Sequence, residues 1–158
     1  MVAHWRRSRQ RTLELLQRIE GEADPVAVLG WRPGRGRAHI GWQLMHLAIT
    51  EEKAATQWFG SGREMAWPDL LPRFGYGSVP DDDIPTPALL REVLSGSRSH
   101  LEQVVSTWSP DRLQEVPAAL AERGWTLQMA LSALAWHEPH HQGQAHITYN
   151  LWKAQQAG

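Results

Sequence analysis

The sequence has no cysteine among its 158 residues. This absence excludes disulfide bonds, zinc sites built from thiolates, and a cysteine nucleophile supplied by the chain itself. Any bound metal ion must then be held by imidazole, carboxylate or water ligands. Long apolar runs are missing as well, so the sequence predicts no membrane span. The basic residues that follow Met1 precede no apolar segment of the signal-peptide type.

An excess of charge of either sign is also missing, because 16 lysine and arginine residues stand against 17 aspartate and glutamate residues. A near-neutral chain has no overall attraction to nucleic acid or to a membrane surface. We therefore expect a cytoplasmic protein that binds neither of them. The length and an apolar content of 42% fit one globular domain spanning residues 1–158.

Four stretches carry apolar residues at helical spacing, and no stretch predicts a strand. The predicted helices span residues 3–21, 38–59, 86–107 and 126–155. Thr86 and Thr126 are suited to cap the last two helices. The sequence therefore predicts an all-α four-helix bundle. The long connections after the first and second helices allow neighbouring helices to run parallel.

These two connections are predicted to be loops. Glycine and proline punctuate residues 22–37, and we expect the arginines of this segment near the mouth of a site. In the longer connection over residues 61–85, aromatic residues either cover a pocket or anchor the crossover to the bundle, and we favour anchoring. The arginines are Arg32, Arg35 and Arg37, and the aromatic residues are Trp67, Phe74 and Tyr76.

Several arginines crowd the start of the first helix. Positive charge slightly disfavours a helix N-terminus, so helix stability does not explain them. We interpret them as a solvated face, and a patch for anions or nucleic acid is the alternative. They are Arg6, Arg7, Arg9 and Arg11.

His137 and His141 are the most informative pair in the chain. Because they lie four residues apart on a predicted helix, their side chains project from the same face. This spacing lets one helix give two imidazole ligands to one metal ion. Gln144 and Thr148 continue the stripe. Such a pair also arises by chance, so packed or surface histidines are the alternative interpretation.

A second polar stripe runs along the predicted second helix. Its members are His39, Gln43, His46 and Thr50. Inward-facing polar groups need partners, and a metal ion would supply one. If His46 faces the histidine pair, the three imidazoles form a site that leaves coordination positions open, as catalytic metal sites do.

The other polar residues near these stripes are assigned to the surroundings of the site. His140 points about 100° away from His141 on the helix, which predicts the outer layer of the site or the surface. We expect His39, Gln43 and Gln144 in the pocket or in the same outer layer. The remaining histidines show no stripe and are interpreted as ordinary: His4, His100 and His146.

Pro139 and Gly143 lie inside the predicted last helix and flank His141. Proline removes one backbone hydrogen bond and clashes with the preceding turn, and glycine weakens a helix further. Local rules of this kind tend to fail at functional sites. We therefore expect a kink or a wide turn at the histidine cluster.

Two motifs carry a resemblance to a known family. They are Ile40-Gly-Trp-Gln-Leu-Met-His46-Leu-Ala-Ile-Thr-Glu51 and His137-Glu-Pro-His-His141-Gln-Gly-Gln144. Together with the helix layout of nearly the whole chain, they resemble the DinB/YfiT-like family of metal-dependent proteins. One departure is Gln142, where arginine is common in the family.

The resemblance implies a four-helix bundle in up-down-down-up order, often a homodimer, in which His46, His137 and His141 bind a divalent ion such as zinc or nickel. Characterised relatives include transferases and isomerases that use a low-molecular-weight thiol, mycothiol or bacillithiol, with the metal holding the thiolate. Because this chain has no cysteine, the thiol would arrive as a cosubstrate. We expect its transfer to small electrophilic molecules, and the sequence assigns no catalytic residue.

Two other functions stay open. Hydrolysis by metal-activated water needs a general base, yet Glu138 points away from the ligands, and Glu51 and Glu52 lie more than one turn from His46. The other possibility is a non-catalytic stress protein that binds a metal ion or a ligand. The nine tryptophans suit such a role, because aromatic surfaces favour association.

Overall fold

The computed structural model describes residues 2–157, and every regular element in this range is helical. The helices are α1 (Val2–Glu20), α2 (Pro25–Gly30), α3 (Ile40–Lys53), α4 (Leu71–Phe74), α5 (Pro87–Ser106) and α6 (Leu127–Gln156). The long helix α3 packs against α5 and α6, and α1 packs against the same two helices. The all-α class predicted from the sequence is confirmed.

Two threonines begin the last long helices, as the sequence predicts. The side chain of Thr86 accepts a hydrogen bond from the backbone N–H of Leu89, and Thr126 does the same for Met129. Each hydroxyl satisfies one of the N–H groups that a helix start leaves without a partner.

The connections contain more structure than the sequence predicts. The segment expected to be a loop over residues 22–37 contains α2, which Asp24 caps by accepting from the backbone N–H of Ala27. The longer connection contains a 3₁₀ turn at Pro68–Leu70, followed by α4. These elements are too short to show apolar periodicity, although the sequence Asp24-Pro25 is a recognisable helix start.

The end of the second long helix also departs from α geometry. After Lys53 the chain continues as a π-helical segment, Ala54–Trp58. The N–H of Phe59 donates to the carbonyl of Ala54, five residues earlier, at 2.9 Å. Such wider turns are rare and frequently occur at functional sites.

The last helix passes through its proline without a break. α6 remains α-helical from Leu127 to Gln156 with Pro139 inside it, so of the kink or wide turn expected here, the wide turn is wrong. Pro139 is exposed, and on the solvent side water can bond to the carbonyl that lacks its N–H partner. Along residues 2–157, no helix has both the length and the apolar character that crossing a bilayer requires.

The core consists of two apolar clusters. One contains Leu16, Leu44 and Leu90, and the other contains Trp5 and Leu131. The helices α1, α5 and α6 contribute residues to both clusters, whereas α3 contributes to the first and the π-helical segment that follows it contributes to the second. Along each of these four stretches, one member of a buried charged layer lies between the residues of the two clusters. The layer comprises Arg9, Glu51, Arg98 and Glu138.

Ion pairs connect all four members of the charged layer. Arg9 donates to Glu138 and to Glu51, at 2.8 Å in each case. Arg98 donates to Glu138 at 2.6 Å and also pairs with Glu51. Thr12 adds a hydroxyl bond to Glu138 at 2.9 Å. Two cations thus balance two carboxylates away from water, which is the condition under which buried charge is tolerated.

One prediction from the sequence is wrong at this layer. Arg9 was expected on a solvated face together with its neighbours, but its side chain is only 5% exposed. Carboxylates on other helices supply its partners, and these partners make burial of the charge possible. His100, expected to be ordinary, lies outside the layer as a buried histidine whose Nδ1 is 2.9 Å from a carboxylate oxygen of Glu52.

Candidate metal centre

Three histidines converge between α3 and α6. His46 comes from α3, and His137 and His141 lie one turn apart on α6. Each offers a ring nitrogen, and these nitrogens all lie within 4.8 Å of one another. The ring centroids are 4.7–4.9 Å apart. The three imidazoles that the sequence pattern brought forward therefore form one cluster that can hold a metal ion.

The ring of His46 is fixed on two sides. Its Nδ1 donates to the carbonyl oxygen of Phe74 at 2.7 Å, which leaves Nε2 with a free lone pair. The indole of Trp42 stacks on the imidazole at a centroid distance of 4.7 Å and an angle of 7°. This arrangement fixes both the tautomer and the plane of the ring, as the partners of metal-binding histidines usually do.

Trp42 is itself anchored to the segment that supplies the Phe74 carbonyl. Its indole Nε1–H donates to the carbonyl of Arg73 and to the hydroxyl of Ser78, at 3.2 Å each. Arg73 in turn pairs with Asp81 at 3.0 Å. One short segment, residues 73–81, therefore positions both the candidate ligand His46 and the ring that stacks on it.

The distances fit a divalent ion. The Nε2 atoms of His46 and His137 are 3.1 Å apart. Two nitrogens bound to one tetrahedral zinc ion lie about 3.3 Å apart, so this pair is already close to the spacing that ligation requires. The Nδ1 of His141 is buried and has no hydrogen-bond partner in the described part of the chain. An unsatisfied buried nitrogen of this kind calls for a partner, and a cation supplies one.

Burial keeps the three imidazoles neutral. Loss of water lowers the pKa of His46, lowers that of His137 to about 4, and lowers that of His141 to about 3. For His137 and His141, the neighbouring imidazoles contribute further to the decrease. The neutral ring is the form that binds a metal ion, so at neutral pH no proton has to be displaced from these rings.

The structure places the other predicted site residues around this centre in different ways. His39 caps α3: its Nδ1 accepts from the N–H of Trp42 at 3.0 Å, and its Nε2 donates to the carbonyl of Asp81 at 3.0 Å. This ring therefore joins the start of α3 to the loop, and both of its nitrogens are occupied by backbone groups. Gln43 is buried, and its Oε1 has no partner within residues 2–157.

His140 and Gln144 lie on the outer side of the centre. The ring of His140 stacks on Trp136 at 4.5 Å and meets the ring of His141 edge-on at 5.0 Å. The amide of Gln144 lies 3.1 Å from the Nε2 of His140. His140 thus has a definite partner on this outer side, Gln144, which lies one turn further along α6.

A cavity of about 990 Å³ opens beside the histidines, with His46 and His137 in its wall. Thr50, Lys53, Gln57 and Trp58 line it from the α3 side, and Tyr76 borders it from the loop after α4. The two other aromatic residues of that connection act as anchors, because Phe74 belongs to the core and Trp67 packs against it.

The arginines expected near the mouth of the site lie elsewhere. Arg32 donates to the carbonyl oxygens of Pro80 and Asp81 and pairs with Asp82 at 2.9 Å. Neither Arg32 nor its two neighbours Arg35 and Arg37 lines the cavity. The cationic residues of the wall are instead Lys53 and Arg123.

Sequence reasoning missed two groups at the centre. Trp42 precedes His46 by four residues, and this helical spacing could have identified the stacked pair. The carbonyl of Phe74 leaves no trace in the sequence, because every residue has a backbone oxygen.

The described elements are all helical, and three imidazoles converge beside a cavity. These features define the class as an all-α protein with a candidate metal centre. The family model described as the DinB superfamily matches residues 4–145. This match covers most of the chain, which therefore belongs to the DinB superfamily, as the resemblance implied. No curated protein matches the sequence.

Proposed function

We propose that this DinB protein binds a divalent metal ion, zinc or nickel, through His46, His137 and His141, and transfers a low-molecular-weight thiol to small electrophilic molecules. The observation that carries the proposal is the convergence of three neutral imidazoles, two of which, His46 and His137, line the wall of a cavity of about 990 Å³. When bound, a divalent ion supplies open coordination positions and lowers the pKa of a coordinated thiol.

The residues around the centre have separate tasks in this proposal. The Phe74 carbonyl and Trp42 hold the ring of His46 in the orientation for ligation. Trp58 and Trp136 give the cavity aromatic wall surface, which suits an apolar or aromatic electrophile. The chain has no cysteine, so the sulfur nucleophile enters the cavity as a cosubstrate.

Hydrolysis is the weaker alternative, because the glutamates near the ligands in sequence are engaged elsewhere. Glu51 and Glu138 pair with the buried arginines of the charged layer, and Glu52 pairs with His100. Glu122 is the one carboxylate in the cavity wall among the described residues, and its side chain is exposed. A general base held beside the metal ion is therefore missing from this part of the chain.

The test is thiol-dependent consumption of 1-chloro-2,4-dinitrobenzene by zinc-loaded protein that was purified without a histidine tag. The expected reaction forms a carbon–sulfur bond and releases chloride, while the thiol proton goes to solvent. Activity with mycothiol or bacillithiol should be lost in His46→Ala and retained in His146→Ala, which removes a histidine outside the cluster. Ester turnover without a thiol would instead favour hydrolysis, and ligand-induced thermal stabilisation without turnover would favour a binding module.

We also propose a homodimer that forms through the outer face of α6. Half of the exposed large apolar residues of the described chain lie on this one helix: Met129, Trp136, Ile147 and Leu151. They recur at spacings of seven, eleven and four residues, which places them along one stripe. No charged side chain lies between Gln128 and Leu151 except the buried Glu138. Depletion of charge around aromatic and aliphatic residues is characteristic of the centre of an interface.

Ile147→Glu is expected to convert this dimer to a monomer, because it places a carboxylate in the centre of the apolar stripe. Light scattering coupled to size-exclusion chromatography measures the change. Val79→Glu is the matched control, since Val79 is 83% exposed and lies far from α6 in sequence. A wild-type protein that is monomeric at all concentrations would contradict the proposal.

The fold that we propose for this function is a four-helix bundle in up-down-down-up order. Two features support it: α1 and α3 each pack against both α5 and α6, and long connections separate the first three long helices. Such connections allow consecutive helices of a bundle to run in the same direction.

A further inference from the structure

The cavity beside the histidines has one wall that follows a single helical stripe. His46, Thr50, Lys53 and Gln57 all line it, at spacings of four, three and four residues. Side chains at these spacings lie on one face of a helix. At a rise of about 1.5 Å per residue, Lys53 lies about 10 Å along α3 from His46. The cavity thus extends from the histidines toward an ammonium group.

The wall of the cavity also carries cationic groups without carboxylate partners in the described part of the chain. Lys53 forms no ion pair within residues 2–157, in contrast to the arginines of the charged layer. Arg123 also lacks an ion pair in that range, and its guanidinium lies over the ring of Trp125 at 5.4 Å. Glu122 is the single acidic residue of the wall. Cations that face a cavity in this way are suited to bind the anionic end of a ligand.

Between the two ends, the wall is aromatic and aliphatic. Trp58, Trp125 and Trp136 line it together with Ile49 and Leu134. Trp58 belongs to the π-helical segment that follows Lys53, so the irregular end of the helix contributes directly to the cavity. Aromatic walls of this kind bind flat or apolar groups.

We infer that the cavity takes an elongated small molecule with an apolar or aromatic middle and a carboxylate end, and that this carboxylate is bound by Arg123 and by Lys53, which lies about 10 Å along α3 from His46. The inference rests on the proposed function for the reaction at the histidine end, and it names the substrate class. The carboxylate belongs either to the thiol cosubstrate or to the electrophile, since both enter the same cavity.

The test measures binding to metal-free protein, so it does not depend on metal loading or turnover. The probes are 6-phenylhexanoate and its uncharged counterpart 6-phenylhexanamide, and tryptophan fluorescence reports their dissociation constants. Because the carboxylate gains charge-assisted hydrogen bonds that the amide lacks, the wild-type protein should bind it about tenfold more tightly. Lys53→Met should remove most of this preference and leave amide binding unchanged, whereas Lys53→Arg should preserve the preference.

Two comparisons complete the experiment. Arg123→Met, at an exposed position, should reduce the preference by a smaller factor, and Arg35→Met, outside the cavity, should leave it unchanged. Equal affinity for acid and amide in the wild-type protein would overturn the inference, as would a preference that survives in the double variant Lys53→Met/Arg123→Met. Absence of thiol transfer together with a preference that depends on Lys53 would overturn only the proposed function.

A kinetic experiment then assigns the carboxylate to one reactant. With the uncharged electrophile 1-chloro-2,4-dinitrobenzene and bacillithiol, whose malate group carries carboxylates, a KM for the thiol that rises in Lys53→Met places the carboxylate on the thiol. An unchanged KM places it on the natural electrophile. Both results agree with an anion site at Lys53, and each selects one source for its ligand.

Discussion

His46→Ala will reduce the affinity for zinc by more than about 100-fold, which exceeds the loss typical for removing a hydrogen-bonding partner of a ligand. The variant deletes the only ligand that α3 contributes to the cluster within the described chain. Only the pair His137 and His141 on α6 then remains, and a pair at this spacing occurs by chance on many helices that bind no metal. Competition with a chromophoric chelator at neutral pH measures the affinity, and elemental analysis gives the metal content.

The matched control for this experiment is His146→Ala. His146 lies on the same helix as His137 and His141 but does not belong to the cluster, so its loss should leave zinc affinity unchanged. His46→Ala also removes the donor to the Phe74 carbonyl, and a thermal melt of metal-free protein separates that structural effect from ligand loss. Equal zinc affinity in the two variants would show that the three imidazoles do not share an ion.

Arg98→Met will lower the free energy of unfolding by about 3–5 kcal/mol, the cost typical for removing one partner of a buried ion pair. The methionine fills a similar volume, but it leaves the carboxylates of Glu51 and Glu138 with Arg9 as their only cation in the charged layer. The side chains of all four residues are at most 8% exposed. Water therefore cannot solvate the uncompensated charge. Urea denaturation monitored by circular dichroism gives the value.

Two further variants test whether charge balance is the cause. Arg98→Met/Glu138→Gln restores equal numbers of positive and negative charges, so its loss should be smaller than the sum of the two single losses by about 0.5–3 kcal/mol. Arg6→Met breaks the ion pair between Arg6, which is 69% exposed, and Glu102. It should lower the free energy of unfolding by less than about 1 kcal/mol. Additive losses, or an equal loss in Arg6→Met, would contradict a role for burial of charge in the layer.

Apolar periodicity was sufficient to predict the long helices, and two capping threonines set the starts of two of them. The same helical periodicity also indicates that Arg9 faces the core, although its residue type favours solvent. Arg9 lies on the stripe of Trp5 and Thr12, which faces the core. It was interpreted as solvated because arginines are mostly exposed. Its carboxylate partners are 42 and 129 residues away, and one sequence gives no indication of such pairs.

The candidate metal centre was predictable in part. The spacing of His137 and His141 reflects helix geometry directly, and the polar stripe on the second helix drew attention to His46. The choice of His46 over His39 came from the family resemblance. The structure gives the physical distinction, because the ring of His39 is occupied by backbone groups of Trp42 and Asp81. The cavity and its cations depend on side chains from several segments, and periodicity in one segment does not predict them.

Phe74 has two separate roles, one for its side chain and one for its backbone. Its ring fills the core, while its backbone oxygen orients His46. Since every amino acid carries that oxygen, a point mutation at position 74 changes packing and leaves the orienting group in place. Inserting or deleting one residue near α4 would move the oxygen itself. During evolutionary drift, this part of the molecule should therefore tolerate changes of residue identity more readily than changes of loop length.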